Sequence, residues 1–432
     1  MTLGYADTVS PRALLFLFVC LRLAQQVAET FLARVNRRYA TTPARLEQAG
    51  RALRVPEEEM QKAIAYSADR HRFSLWSGWT EVVVVLAFLV AGGLGAADRL
   101  AGSALVAAGL TAAGPAARIA SGLVFFAVLG ALSGLLALPF ELYATFRIEQ
   151  RHGFNRQTLG GFFLDRLKGL LLAAALGAPL LAGVLWAMER LGAWWWVWAW
   201  ALVVGFNLLA VWIYPTVLAP LFNRFTPLPP GELREGILSL AGRTGFRAGG
   251  IFVMDASRRT AHGNAYFTGL FGQKRIVLFD TLVEAMGVRE TVAVLAHELG
   301  HFKLHHVRWA ILRSVAASGV LFFLLSRALP MAVFYQAFSV GRSSYAALVV
   351  FGLWFSLVGF LLQPLENAIS RRHEFAADAF ALRNGATAVE LGSALRRLRE
   401  RSKLLPLSHP LYSRVYHSHP PLIERLRAMG AL

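Results

Sequence analysis

The chain has 432 residues, of which 56% are hydrophobic and 16% charged, where ordinary soluble domains carry about 25% charged residues. That balance excludes a single water-soluble domain. The formal charge of +18 is distributed between apolar runs, which favours a membrane surface over nucleic acid as the basic partner, and a single cysteine, Cys20, excludes an intrachain disulfide and a cysteine-rich metal site.

A helix that crosses a bilayer needs about 20 mostly apolar residues. Seven runs meet that need, at 12–33, 75–97, 119–143, 168–188, 194–220, 308–329 and 345–366. Arg22, Gln25, Gln26 and Glu29 interrupt the first, so these side chains are expected to face other helices or a polar cavity. A surface amphipathic helix is the competing reading of this segment. It is a poor cleavable signal, because it has neither a basic start nor a small-x-small site. Loop charge gives an independent check. Residues 34–72 carry nine Lys/Arg, the next loop only Arg99 and Arg118, and 147–168 five. The turn near 190 has Arg190, 221–307 is basic again, the turn at 330–344 has Arg342, and the tail from Arg371 has eleven. This alternation predicts seven spans with the amino terminus outside and the basic segments cytoplasmic. An extra span in the Ala/Gly-rich run 101–117 would break it.

The predicted organisation is membrane helices 1–5 with their loops over 1–220, a cytoplasmic segment over 221–307, helices 6 and 7 over 308–366, and a cytoplasmic tail over 367–432. Pro227, Pro229, Pro230 and Gly231 end the fifth helix and lead into a helix near 232–244. Two β-rich runs, 251–254 and 275–279, flank 264–267 and a turn at 269–272, which suggests a small antiparallel sheet. A helix over 288–304 follows.

That helix contains Ala296-His297-Glu298-Leu299-Gly300-His301. Histidines at i and i+4 share a helix face and can hold one Zn²⁺, with Glu298 placed to accept a proton from the attacking water. The plain alternative is two surface histidines one turn apart. A catalytic zinc needs a third protein ligand, and the seventh span returns the chain to the same side just before Glu374. Glu374 is therefore the expected ligand. Asp378, at i+4 from it, is placed to accept the second N–H of a ligand histidine. His373 points about 100° away around the helix and is expected to be solvated or packed. His305 and His306, just past the motif, are expected to be interfacial helix residues and not ligands, and the same reading is given to His152, His262, His409 and His417.

Several segments in order carry a resemblance: Ile148–Asn155, Tyr214-Pro215-Thr216, Ala219–Phe222, Phe225–Pro229, His262–Phe267, Lys274–Leu282, His297–His306, Ser370–Ala381 and Ser418-His419-Pro420-Pro421. Together they resemble the type I CAAX prenyl protease family, multi-pass membrane zinc metalloendopeptidases of gluzincin type. The resemblance implies a mainly α fold, with about seven tilted transmembrane helices forming a barrel around a water-filled chamber and a small cytoplasmic α+β metalloprotease domain. It implies His297, His301 and Glu374 as zinc ligands, Glu298 as general base, and His419 as a residue that stabilises the oxyanion. Asn264, with Ala265, is placed beside the substrate backbone, and Arg425 falls in the same tail segment with no assigned purpose. The plain alternatives are that Asn264 caps a turn and that His419 anchors the tail.

The implied substrate is a peptide or lipidated protein carboxyl terminus, from which the family removes a C-terminal tripeptide. Membrane lipids are the other expected partner, nucleic acid is not, and the oligomeric state stays open. The expected location is the inner membrane for a bacterial source and otherwise the endoplasmic reticulum membrane, with the active site on the cytoplasmic side. Two alternatives are a quality-control protease without prenyl specificity and a channel or transporter-like protein with structural zinc. Glu298 argues against the second, because a structural site closes its coordination and needs no adjacent base.

Overall fold

The structure, a computed structural model, describes residues 10–110, 114–247, 249–261, 264–268 and 275–432. The expected turn at 269–272 and His262 lie outside the described residues. Helix α1 (Pro11–Ala40) opens where Ser10 Oγ accepts the Ala13 N–H at 3.1 Å and Pro11 occupies the first turn. Helices α2 (Pro43–Leu53), α3 (Glu57–Val90), α4 (Gly93–Ala107), α5 (Pro115–Tyr143), α6 (Leu159–Leu172), α7 (Ala178–Arg190) and α8 (Trp195–Ile213) follow. A π-helical segment extends α5 to Glu149, and another joins α6 to α7 as one span, Leu159–Arg190. After α8 come β1 (Phe225–Pro227), α9 (Glu232–Arg243), β2 (Gly250–Met254), β3 (Ala265–Thr268), β4 (Arg275–Phe279), α10 (Asp280–Ala285) and α11 (Val288–Lys303). The chain ends with α12 (His306–Ala328), α13 (Ala332–Ala337), α14 (Ser344–Arg383), α15 (Ala388–Arg401), α16 (Pro410–Tyr416) and α17 (Leu422–Met429).

Seven helices among the described residues are long and apolar enough to cross a membrane, matching the seven expected runs. On α1 the polar interruptions do turn inward. Gln26 is buried, Thr30 Oγ1 accepts from Trp79 Nε1 of α3 at 3.0 Å, and Leu21, Leu23, Val27 and Phe31 cover the exposed side. The second span ends at Val90 rather than 97, because Gly92 turns left-handed and α4 begins. The 15 residues of α4 reach only about 22 Å, short of the ~30 Å hydrocarbon layer. It packs on α5 through Leu94, Ala97, Ala101 and Leu105, so the alternative span is excluded.

Helix α14 departs most from expectation. The seventh span and the polar stretch after it form one continuous helix of 40 residues, about 60 Å long, opened by Ser343 Oγ accepting from Ala346 N at 3.2 Å. Twice the hydrocarbon thickness, it carries the chain rigidly from the membrane to Glu374.

Strand order is β1-β2-β4-β3. The expected antiparallel sheet is corrected in one respect: β2 and β4 run parallel, with Ile251 opposite Ile276 and Val253 opposite Leu278. The reason is connectivity. After Met254 the chain leaves through a short 3₁₀ turn at Ala256–Arg258, and β3 returns outside β4, pairing antiparallel with Tyr266 opposite Val277. Strand β3 is thus an edge. Ile276 and Leu278 join Ile237, Leu240, Leu282, Leu295, Leu299, Leu391 and Leu426 in a core separate from that of the spans, and α11 lies at its centre.

Candidate metal centre

Helix α11 is fastened at its start. The Gly287 N–H donates to Glu290 Oε2 at 2.9 Å, and Arg397 of α15 reaches Glu290 Oε1 at 3.0 Å. Near its end it meets α14 at close range, because Gly300 has no side chain. A Cβ there would stand 3.0 Å from Ala377 Cα and 3.2 Å from Ala377 O. This approach sets the neighbours of Gly300 and Ala377 against one another, namely His301 and Glu374.

His297 Nε2 and His301 Nε2 are 3.2 Å apart, His301 Nε2 is 3.2 Å from Glu374 Oε1, and His297 Nε2 is 3.5 Å from Glu374 Oε2. Metal bonds of about 2.0–2.1 Å in a tetrahedral arrangement put ligand atoms about 3.3–3.4 Å apart, so these three donors span one face of such a polyhedron. The remaining chemistry agrees. His297 Nδ1 lies 2.8 Å from Asp378 Oδ1 and donates to it, which turns Nε2 toward its companions, where a cation would take the place of the Nε2 proton. Glu374 Oε2 is buried without a hydrogen bond, although His419 Nδ1 lies 2.8 Å away and an Arg425 nitrogen 3.2 Å away. Burial works to lower the pKa of His297, but hydrogen bonds to Asp378 and Glu374 outweigh it and push the value up to about 9. The spot favours positive charge. Donor types, spacing and local field fit a divalent cation.

Glu298 lies on the other side of His297. Burial raises its carboxyl above the ordinary range against the pull of His297 and His301. Together with His297, Glu374 and His419 it borders a cavity of about 510 Å³. Asn264 and Ala265 stand apart from this cavity at the head of edge strand β3, which packs on α11. Asn264 is exposed, and its Oδ1 accepts from the Ala265 N–H at 2.8 Å.

Sequence reasoning missed two participants, Arg425 and His306. Arg425 clamps Asp378 with two hydrogen bonds, Nε to Oδ2 at 2.9 Å and a terminal nitrogen to Oδ1 at 2.6 Å, so one buried guanidinium serves both acidic residues. His306, expected to be interfacial, is buried with Nδ1 3.1 Å from His301 Nδ1. His373, expected to be solvated or packed, takes the packed alternative and stacks on His306 at 3.9 Å between ring centres. Helix periodicity gave no signal for His306, because α11 ends at Lys303 and the left-handed turn at His305 swings His306, the first residue of α12, back toward His301.

Comparison with known proteins adds independent findings. Residues 34–224 match the family model for the CAAX prenyl protease N-terminal, five membrane helices, and residues 227–432 match that of peptidase family M48. The chain is 36% identical to the CAAX prenyl protease 1 homolog of Homo sapiens, over 94% of this chain and 92% of that one. It is 37% identical to the homolog of Arabidopsis thaliana, over 87% and 88% respectively. The crystal structure of S. mikatae Ste24p superposes with a TM-score of 0.89 at 30% identity, covering 98% of this chain and 100% of that one.

Proposed function

The chain belongs to the CAAX prenyl protease family within peptidase family M48 and is an integral-membrane metalloendopeptidase, and from that premise we propose that its metal is zinc, held by His297, His301 and Glu374, and that it cuts prenylated protein carboxyl termini at the cytoplasmic membrane face. The observation that carries the reading is the convergence of donor atoms from α11 and α14, all within 4.8 Å of one another, with Glu298 adjacent. When bound, the ion polarises the scissile carbonyl and acidifies the attacking water. Glu298 takes the proton from that water onto its carboxylate and returns it to the leaving amine nitrogen. Its raised proton affinity suits a group that must accept and then release a proton.

Asp378 and Arg425 hold the His297 ring in the tautomer that presents Nε2. His419, at the exposed rim of the cavity, offers a hydrogen bond to the carbonyl oxygen as negative charge builds there. The edge of β3 from Asn264 and Ala265 aligns an extended peptide by backbone pairing. The basic loops favour the cytoplasmic side for this machinery. The division into helices 1–5, the metalloprotease segment, helices 6–7 and the tail describes how these parts are assembled along the chain.

The test compares cleavage, by purified protein, of a farnesylated CAAX peptide and an unmodified membrane-protein segment. Preference for the farnesylated peptide, abolished by chelation and restored by Zn²⁺, supports the reading. Equal cleavage of both defeats the prenyl assignment and favours quality control, and chelator-resistant cleavage defeats the metal assignment.

A further inference from the structure

The cavity beside Glu298 extends well past the metal centre. One wall is Val294, one turn before His297 on α11, and another is the α15 stripe Leu391, Leu395, Leu398, Arg399 and Ser402. From Leu391 to Ser402 that stripe is about 16 Å long at 1.5 Å per residue, ample for three extended residues, which cover about 10 Å. Leu404–Leu407 and Leu422 complete an apolar lining.

Arg399 is the charged residue of the α15 wall. It is 8% exposed, and among the described residues the hydrogen bonding of its side chain is confined to Nε, which donates to Leu404 O at 2.8 Å. Among the described residues it forms no ion pair within 4.0 Å, the carboxylates of Glu400 and Glu59 acting on it only from a distance, and it lines the cavity. The other buried arginine of this cavity, Arg425, is fully engaged with Asp378 and Glu374. A guanidinium held in apolar surroundings is costly unless an anion pairs with it, and the planar fork matches a carboxylate with two parallel hydrogen bonds.

We propose that this cavity receives the leaving carboxyl-terminal segment of the substrate, with apolar side chains against the α15 leucines and the free terminal carboxylate paired with Arg399. The inference rests on the peptidase reading above and deepens it, since Arg399 is then a specificity-determining residue that measures where the chain ends. An isoprenyl chain in the same cavity would leave the guanidinium unpaired, so the lipid belongs elsewhere. Peptides without a nearby free terminus would lose the pairing and its contribution to binding in this cavity.

The experiment uses the zinc-loaded protein in detergent and two farnesylated CAAX peptides that differ only at the terminus, one a free acid and one a primary amide. The wild type is expected to cut the acid with a kcat/KM about ten- to a hundredfold higher, the range of a charge-assisted pair. Arg399→Gln should bring the two rates together by slowing the acid alone, and Arg399→Lys, which keeps the charge, should preserve most of the preference. The acid-to-amide ratio is internally controlled, because Arg399 acting only as a prop for the Leu404 loop would slow both peptides equally and leave the ratio unchanged. That result, or equal cleavage of the two peptides by the wild type, overturns the inference while leaving the peptidase reading intact. Failure of the wild type to cut either peptide overturns the peptidase reading and this inference with it. If Arg399→Gln does not fold, Arg399→Lys decides through the same ratio, and complete loss of acid preference in a folded, zinc-loaded Lys variant also counts against the anchor.

Discussion

Leu170 on α6 is 63% exposed and Leu295 on α11 is 0% exposed, though both sit in regular helices of one chain. The contrast holds for the regions they belong to. Within the spans only 6% to 22% of each most apolar window is buried inside the protein, whereas α11 buries residues from Thr291 to Gly300 on nearly every side. Lipid solvates the outer face of the spans, so apolar side chains there are at home without a protein partner. The metal-bearing half faces water and must hide its leucines. It also hides charge: His297, Glu374, Asp378 and Arg425 are each 7% exposed or less. Polar groups so placed are tolerated only because each one satisfies another.

The largest effect should come from a change that leaves both regions intact. Glu298→Gln keeps shape and burial but removes the proton acceptor, so cleavage should fall by about 10²- to 10⁴-fold, the usual contribution of general acid–base catalysis. Metal content and thermal midpoint should match wild type. A variant that lost metal as well would show that Glu298 belongs with the charged cluster holding the site together.

Removing one member of the buried charge cluster should be next in size. Arg425→Leu leaves Asp378 and Glu374 facing each other without their cation and should cost about 3–5 kcal/mol, as breaking a buried pair does. The corresponding pair at the end of the spans, Arg118 with Glu189, has its arginine half exposed, and Arg118→Leu should cost under about 1 kcal/mol. Denaturant unfolding in matched detergent reads both. Equal losses would erase the distinction between the regions.

A milder version of the comparison uses the two leucines themselves. Leu295→Ala empties a site at the centre of the soluble core and should cost about 2–5 kcal/mol, while Leu170→Ala, with lipid in place of a protein neighbour, should change stability by less than about 0.5 kcal/mol. A large loss at Leu170 would mean that α6 packs against something beyond this chain.

What could be read from the residues alone divides along the same line. The spans were legible because long apolar runs and loop charge are local signals, and His297 with His301 because helix periodicity puts i and i+4 together without any knowledge of the fold. Glu374 and Asp378 followed from one topological step, the return of the seventh span. The unbroken course of α14 did not, because the change from apolar to polar composition, with Pro364 just inside the span, looks like a boundary between two helices. The parallel pairing of β2 and β4 was hidden for a similar reason: strands of five residues carry little information about their neighbours. Arg425, His306 and Arg399 were beyond reach, since each gains its meaning from a residue brought near only by tertiary packing. The clue for Arg425 was the second oxygen of Asp378, which has to be satisfied once the first is committed to His297.

The smallest expected effect concerns two glycines. At Gly300 an added Cβ would press on Ala377 Cα and the Ala377 carbonyl, which are backbone atoms that cannot swing aside, and on Phe380 Cβ at 3.2 Å. Overpacking of this kind costs about 1–3 kcal/mol. The direction of the strain matters more than its size, because separating α11 from α14 at this point pulls His301 away from Glu374, one helical turn from the contact. Gly300→Ala should therefore weaken metal affinity by a larger factor than it lowers the thermal midpoint of the metal-free protein. Gly352, in the membrane part of the same α14, has nothing within 4 Å of its would-be Cβ. Gly352→Ala should leave metal affinity unchanged and stabilise the helix by up to about 1 kcal/mol. Metal titration beside thermal unfolding for the two variants separates a helix that merely spans the bilayer from the same helix where it holds a ligand. If both substitutions behave alike, the close approach at Gly300 is not what sets the spacing of the donors.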